Sequence, residues 1–255
     1  ERAWGVVRRW ALAWWRILYL GAVVCVLVLS PSSYGKVTRR ALARHLYLDT
    51  APVLLGFTVL AALISLVLTR IVIVTAISYG LSRYALEMVI RVLVLELIPL
   101  TAALFVAMRC TIPNGTQLAL LRQSGHLARL SHAGADPIRV ELLPRAVAGV
   151  FACITLAALS CVVALVLAYL GVYGFSLAGL PSYTRMFGHV FAPAVTLVFV
   201  IKTVLFSLAV ALIPMAAGLY DTGERTQPDS ELGGLARMFA VLLLIEIGSL
   251  VGNYY

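Results

Sequence analysis

The chain has 255 residues, of which 62% are hydrophobic and 12% are charged. Soluble domains carry about 45–50% apolar and about 25% charged residues, so both values depart from them in the same direction. A soluble fold of this size does not bury so much apolar surface, and the composition also excludes disorder and a disulfide scaffold. The sequence therefore predicts an all-α, polytopic membrane protein.

The formal net charge of +9 is the second property of the whole chain. In a membrane protein such an excess reflects basic cytoplasmic loops beside anionic headgroups. No basic stripe with interleaved aromatic residues occurs, so a nucleic-acid partner is not expected. The four cysteines lie in or beside apolar runs without ligand spacing, which predicts neither a disulfide nor a metal site.

The N-terminal segment 1–47 is predicted to form an interfacial or elbow region. Residues 2–16 mix tryptophan with arginine, a composition typical of a helix lying among the headgroups. The uncharged run 17–30 is shorter than the about 20 residues that a span requires, which favours a re-entrant or interfacial hairpin over a sixth span. The residues expected at headgroup depth are Trp4, Trp10, Trp14 and Trp15.

Residues 48–255 are predicted to contain five transmembrane helices, each identified from a long apolar run. The predicted spans are 51–69, 86–109, 146–170, 190–218 and 235–255. With the N-terminus inside, the inside segments hold fifteen Lys and Arg residues and the outside segments four. This asymmetry predicts an N-terminus on the inside and a C-terminus on the outside of the membrane.

The segment between the second and third spans carries a leucine stripe at helical spacing. Residues 116–133 are predicted to form an amphipathic helix, which Gly134 and Asp136-Pro137 end. Arg122 and Arg129 lie on another face of it. Such a helix suits a peripheral partner on the cytoplasmic side, and a helix resting on anionic lipid is the alternative. The stripe consists of Leu118, Leu121, Leu127 and Leu130.

Three charges lie deep within the predicted spans: Glu96, Lys202 and Glu246. From their positions in the spans, all three lie about 14–17 Å below the outer surface. An unpaired charge at that depth costs several kcal/mol, so each side chain is expected to face protein or water. Two arrangements satisfy this requirement, an outward-facing cavity lined by Glu96 and Lys202 or a buried bridge that pins the helices together.

Motifs of soluble enzymes do not occur in the chain. There is no GxxxxGK[ST] for nucleotide binding, and no HExxH, GxSxG or paired-carboxylate motif in a loop. We therefore expect a transport subunit without catalytic residues, a metal or a cofactor of its own. The alternatives are a secondary transporter that uses the intramembrane charges for ion coupling, and a membrane enzyme or scaffold.

Several stretches together resemble one family. LVLELIPLTAALFVAMR, GADPIRVELLPRAVAGV and VIKTVLFSLAVALI occur in this order. They are similar to the MlaE/YrbE permeases, the membrane subunits of ABC transporters that work with MCE-domain proteins. The resemblance covers about residues 50–255 and depends on Glu96 with Pro99, Asp136-Pro137 with Pro144-Arg145, and Lys202.

The resemblance implies transport of phospholipid or a similar amphiphile between the inner and outer membranes of a bacterium. It implies a cytoplasmic ATPase that binds ATP and Mg, a periplasmic MCE ring, and a second permease copy or paralogue. It carries Glu96, Lys202 and Tyr79 to lipid-contacting positions. In that case Glu246 is expected to balance Lys202 when no lipid is bound. The ATPase-coupling residues it suggests are Leu118, Leu121, Arg122, Leu127, Leu130 and Asp136.

The chain departs from the family pattern in two places. Leu95 stands where the family usually has an arginine before the glutamate, which leaves Lys202 as the expected basic contact for lipid. The coupling segment reads Ser124-Gly125-His126 where the family usually carries acidic residues. The partner ATPase is then adapted to this surface, or this subunit pairs with a different permease chain.

Overall fold

The computed structural model describes residues 2–30, 35–220 and 229–254, and every regular element among them is helical. The α-helices of this part are α1 Arg2–Leu29, α2 Lys36–Ser78, α3 Ser82–Val89, α4 Ile98–Val106, α5 Ile112–Gln123, α6 His126–His132, α7 Leu143–Tyr173, α8 Leu180–Val190, α9 Pro193–Tyr220 and α10 Asp229–Tyr254. Wider π-helical turns occupy Ile90–Leu97, Ala107–Thr111 and Ile138–Leu142. The predicted all-α class is confirmed.

Six helical stretches are long and apolar enough to cross a membrane, judged by length and composition. They are Ala11–Leu29, Thr38–Ser78, Tyr84–Gln123, Ile138–Tyr173, Pro193–Tyr220 and Gly234–Asn253. The last five overlap the five predicted spans in order. The stretches Thr38–Ser78, Tyr84–Gln123 and Ile138–Tyr173 extend beyond the predicted boundaries at both ends, because polar residues at the membrane surface continue a helix whose backbone hydrogen bonds are already formed.

The predicted hairpin within residues 17–30 is wrong, since α1 continues without a turn from Arg2 to Leu29. The run contains no proline, and its only glycine, Gly21, lies in helix beside Leu212. Residues 31–34, directly after this run, lie outside the described residues. Helix α1 therefore meets the length condition of the alternative, a sixth span, and a flat orientation at the interface stays a prediction. Trp15 is exposed, and the side chains of Trp4 and Trp10 lie outside the described part.

The chain divides into two compact units, each made of three separate stretches, and the predicted division into 1–47 and 48–255 stays a prediction. The first unit consists of Glu1–Ala51, Val106–Ala152 and Ser207–Val241. Its core joins side chains from α1, α5, α6, α7 and α9. These are Leu20, Val24, Leu27, Leu118, Leu127, Leu142, Leu143, Ala146, Leu212, Met215 and Ala216.

Helices α5 and α9 approach each other closely within the first unit. A Cβ atom at Gly115 would lie 2.6 Å from the carbonyl oxygen of Pro214, and one at Gly218 would overlap the carbonyl oxygen of Gly115. Both positions are therefore restricted to glycine by the facing backbone. Pro214 lies inside α9, where its ring prevents one backbone hydrogen bond.

The second unit consists of Pro52–Phe105, Cys153–Phe206 and Leu242–Tyr255. Its core contains aliphatic residues of α3, the following π-helical turn, α4 and α8, packed against small residues of α7. These are Leu86, Val89, Ile90, Leu93, Val94, Leu95, Ile98, Cys161, Ala164, Ala168 and Val190. The hydroxyl of Tyr183 in α8 donates a hydrogen bond to the carbonyl of Leu165, at 2.8 Å. Helix α8 lies between the third and fourth predicted spans.

The predicted helix over 116–133 is wrong in its boundaries. Residues up to Gln123 form the end of α5, which continues the second predicted span, and a separate helix α6 starts at His126. Gly125 between them adopts φ +71°, a left-handed conformation that ends a helix. The predicted end before Asp136 is confirmed, because α6 stops at His132 and Gly134 has φ +77°.

Candidate functional site

The three charged residues deep within the predicted spans meet in the second unit. Lys202 of α9 is 1% exposed, and its ammonium nitrogen forms an ion pair with Glu96 Oε2. The same nitrogen lies 2.9 Å from Glu246 Oε2 and donates to the carbonyl of Leu95 at 3.2 Å. We name Glu96, Lys202 and Glu246 the charge triad.

Pro99 leaves backbone carbonyls beside the charge triad without a backbone N–H donor. It has no N–H group, so it cannot donate to the carbonyl of Leu95, four residues earlier. That carbonyl accepts from Lys202 instead. The neighbouring carbonyl of Val94 faces the thiol of Cys161, at 3.6 Å. The proline thus leaves backbone acceptors in the wide π-helical turn, and side chains of α9 and α7 satisfy them.

The geometry decides between the two arrangements expected for the charges. A lysine ammonium has three N–H donors, and two carboxylates and one carbonyl face it. Its side chain is 1% exposed, so it does not line an open cavity in this conformation. The buried bridge is the arrangement present. An anionic ligand reaches the ammonium only by replacing one of its present partners.

The triad contains more acid than base. Two carboxylates surround one ammonium, and Glu96 and Glu246 are 12% and 15% exposed. The aromatic ring of Phe206 lies 5.7 Å from the ammonium nitrogen and adds a weaker attraction. Breaking a buried ion pair by removing one partner is costly, because the remaining charge stays buried without compensation. The triad is therefore sensitive to any change in its charge.

Tyr79 does not join the triad. It follows the last turn of α2, and its side chain is 76% exposed, whereas Lys202 is buried. An exposed tyrosine near the end of an apolar helix is typical of a residue at headgroup depth. Its predicted contact with lipid stays a prediction.

The leucine stripe of the coupling segment packs largely against other helices of the same chain. Leu118 and Leu127 are 1% and 8% exposed and belong to the core of the first unit, while Leu121 packs against that core and Leu130 is half-buried. The prediction that these leucines occupy a groove on a partner is therefore wrong for the buried pair. A stripe at helical spacing indicates that one face is covered, and here the covering residues belong to the same chain.

Two other predicted coupling residues have capping roles. Arg122 donates to the carbonyl of Leu219 at 2.8 Å, in the last turn of α9, where a positive charge stabilises the helix end. A carboxylate oxygen of Asp136 accepts from the backbone N–H of Ile138 at 3.0 Å and so begins the helical turn before α7. The exposed surface of this segment is formed instead by Ser124, Ala128, Arg129, Ser131 and His132.

The first unit contains polar contacts that the sequence analysis did not identify. Asn114 donates to a carboxylate oxygen of Asp49 at 2.9 Å, across two helices. Glu141 accepts from Arg145 at 2.5 Å and lies 3.5 Å from His126 of α6. The spacing of Glu141 and Arg145, four residues apart at a helix start, was the available signal for that pair. No sequence signal pointed to Asp49 and Asn114 as partners.

Long apolar helices with buried, ion-paired charges define an integral membrane protein with an all-α transmembrane domain. A family model described as Permease MlaE matches residues 42–250, and the chain belongs to this family. It is therefore a membrane permease subunit of an ABC transporter. A comparison with curated proteins found no match to this chain.

Proposed function

We propose that this permease moves phospholipid, or a similar amphiphile, between the inner and outer membranes. ATP is hydrolysed by a separate cytoplasmic ATPase, and a periplasmic MCE ring and a second permease copy or paralogue complete the transporter. The chain lies in the inner membrane with its N-terminus in the cytoplasm and its C-terminus in the periplasm. Family membership and the basic inside segments support this assignment.

The charge triad carries the proposal for the lipid contact. Lys202 is buried in the second unit, and its ammonium nitrogen already faces two carboxylates and one carbonyl. A phospholipid phosphate replaces Glu246 at the ammonium, while Glu96 stays bound. Glu246 is the exchangeable partner because it belongs to α10, whereas Glu96 and the Leu95 carbonyl are adjacent on one segment. Lys202 thus keeps two anionic partners before and after the exchange.

ATPase docking in this proposal uses the exposed face of α6 and its neighbours. Arg129 and His132 are exposed there, and Ser124 and Ala128 complete the surface. The surface is neutral to basic, so we expect an acidic groove on the ATPase. This complementarity accounts for the absence of the acidic residues that the family usually has at Ser124-Gly125-His126.

Glu246→Gln tests the proposed exchange. The amide keeps the size of the side chain but competes less well for the ammonium, so phospholipid bound to the purified transporter should increase several-fold. ATP-driven lipid transfer in proteoliposomes should decrease, because release requires the carboxylate to return. Leu205→Ala, at an exposed position of α9, is the control and should leave both quantities unchanged.

A purely structural triad gives a different result. In that case Glu246→Gln changes thermal stability only, and lipid occupancy and transfer stay as in the wild type. Purification from native membranes tests the assembly separately. Co-purification of an ATPase and an MCE-domain protein supports the proposed complex, and a permease that purifies alone and transports without ATP contradicts it.

A further inference from the structure

Helix α6, which carries the proposed docking surface, lies between two glycines in the left-handed conformation. Gly125 before it has φ +71°, and Gly134 after it has φ +77°. Glycine adopts this conformation without steric cost, and a helix usually ends where it does so. Side-chain contacts therefore hold α6 against the rest of the first unit. Two described side chains make such contacts, Leu127 in the core and His126 at the start of the helix.

His126 faces a carboxylate that already has a buried partner. The imidazole Nε2 of His126 lies 3.5 Å from Oε1 of Glu141, and the other carboxylate oxygen, Oε2, accepts from Arg145 at 2.5 Å. Arg145 also donates to the backbone carbonyl of Glu141 at 2.5 Å, and its side chain is 9% exposed. Glu141 is thus held to α7 through one oxygen and contacts α6 through the other.

The two contacts of Glu141 differ in strength. Burial of Arg145 without a partner is costly, so its pairing with the carboxylate persists. His126 is 40% exposed, and its contact is an ion pair only when the imidazole is protonated. Glu141 is therefore attached more firmly to α7 than to α6. It lies in the π-helical turn Ile138–Leu142, and turns of this kind are frequent at functional sites.

The polar contacts continue from Arg145 to two further helices of the first unit. Arg145 interacts electrostatically with His45 and Asp49 of α2. Asp49 in turn accepts from Asn114 of α5 at 2.9 Å. Networks of this kind can carry energetic coupling between distant sites. A displacement of α6 that reaches Glu141 therefore has a polar route to α7, α2 and α5.

We propose that Glu141 is the positioning residue through which α7 follows α6 when an ATPase bound at α6 changes conformation. This inference rests on the proposed docking of the ATPase to α6. Leu127 supplies an apolar contact, which is not directional, whereas the carboxylate of Glu141 fixes His126 relative to Arg145. Without that charge α6 stays attached through its leucine but moves without α7, and hydrolysis is uncoupled from transport.

Glu141→Gln in the reconstituted complex of permease and ATPase tests the proposal. The amide keeps the size of the side chain and removes its charge, so the ATPase should still co-purify. Lipid transferred per ATP hydrolysed should fall about tenfold. Glu87→Gln is the matched control, because Glu87 of the second unit also pairs with an arginine four residues later and lies near a histidine of another helix, at 3.1 Å and 3.9 Å. It should leave the ratio unchanged.

His126→Gln is the second variant and decides the question if Glu141→Gln fails to fold. It removes the other side of the same contact and should lower the transfer per ATP in the same direction. The double variant His126→Gln/Glu141→Gln should lose no more than the larger of the two single losses, because both substitutions break one contact. Full additivity of the two losses would show that the residues act separately and would overturn the proposal.

A spin label on α6 tests the contact without an ATPase or lipid transfer. Ala128→Cys provides an exposed site, and a Cys25→Ser background restricts labelling to it because the other three cysteines are buried. The mobility of the label should increase in Glu141→Gln and stay unchanged in Glu87→Gln.

The outcomes separate this inference from the proposed function. A wild-type complex without ATP-driven transfer contradicts the proposed function. A wild-type complex that transfers lipid, with the same transfer per ATP and the same label mobility in Glu141→Gln, overturns the role of Glu141 alone. Lowered thermal stability of Glu141→Gln with an unchanged ratio also overturns it, because the ion pair is then only structural.

Discussion

Helix α9 makes contacts of two different kinds along its length. In the second unit Lys202 reaches two carboxylates from other parts of the chain, so the contact is ionic and made by side-chain ends. In the first unit Gly218 and Pro214 meet Gly115 of α5 backbone against backbone. The same helix is thus held by charge in one unit and by close approach in the other.

The difference concerns how each contact can change. An ammonium can exchange one anionic partner for another, so Lys202 can stay paired with two anions in more than one arrangement. The glycine contact has no such alternative, because any added side chain or shift meets a carbonyl oxygen. The triad can therefore exchange a partner without losing its charge pairing, whereas the contact at Gly218 is fixed by the backbone.

Lys202→Met should give the largest effect on stability. The methionine keeps the volume of the side chain but leaves Glu96 and Glu246 buried beside each other without a cation. Loss of one partner from a buried ion pair costs about 3–5 kcal/mol. Thermal unfolding of the detergent-solubilised protein measures the change.

Its control removes all three charges together. The triple variant Lys202→Met/Glu96→Gln/Glu246→Gln leaves no unpaired charge and should recover most of the lost stability. Neither the single nor the triple variant should transfer lipid. Equal stabilities of the single and triple variants would show that charge does not hold this unit together.

Leu127→Ala should have the next largest effect and tests the inward direction of the leucine stripe. Leu127 is buried in the core of the first unit, and truncation of a buried leucine costs about 2–5 kcal/mol. Leu120→Ala is the matched control, since Leu120 is 57% exposed. The thermal stability of the isolated permease is the measurement. A loss of ATPase binding without a loss of stability would contradict this and show that Leu127 belongs to the docking surface.

Gly218→Ala should have a smaller effect, confined to the backbone contact of the first unit. The added methyl group overlaps the carbonyl of Gly115, and overpacking of this kind costs about 1–3 kcal/mol. Gly56→Ala is the control, because a Cβ there meets no atom within 4 Å. That substitution should raise stability slightly, since alanine favours a helix. Equal results for the two variants would contradict the close approach of α5 and α9.

The sequence predicted the spans because bilayer thickness fixes the length of an apolar run. Five predicted spans overlap helices of the structure, and a common depth for Glu96, Lys202 and Glu246 follows from the rise of a helix. The cost of an unpaired charge also predicted that they face protein or water. The spans and the depth of the charges both follow from counting residues along a single helix, and the sequence alone supplies that count.

Contacts between distant segments were not predictable in the same way. The leucine stripe indicated a buried face but not which chain covers it, and Gly125 divided one expected helix into two. Likewise, the sequence left open a cavity or a bridge at Lys202, because the choice depends on the direction of side chains from α9 and α10. The contact of Asp49 with Asn114 had no local signal either.

Tyr183→Phe should have the smallest effect and sharpens the description of the second unit. The ring stays, with its edge contact to Tyr169 at 5.1 Å, but the hydrogen bond from the hydroxyl to the carbonyl of Leu165 is lost. A neutral hydrogen bond contributes about 1 kcal/mol to stability, so a decrease of that size is expected at neutral pH. Tyr84→Phe, at an exposed position of α3, is the control and should change nothing.

The pH dependence of the same variant gives a second test. Burial raises the pKa of Tyr183 from 10.0 to about 12. Between these values the unfolded chain releases the phenolic proton while the folded chain retains it, so this residue contributes stability below pH 10 that is lost as the pH rises toward 12. In Tyr183→Phe this loss is absent, and the difference in melting temperature from the wild type should narrow as the pH increases from 10. A difference that stays constant over this interval would contradict a buried, hydrogen-bonded hydroxyl at Tyr183.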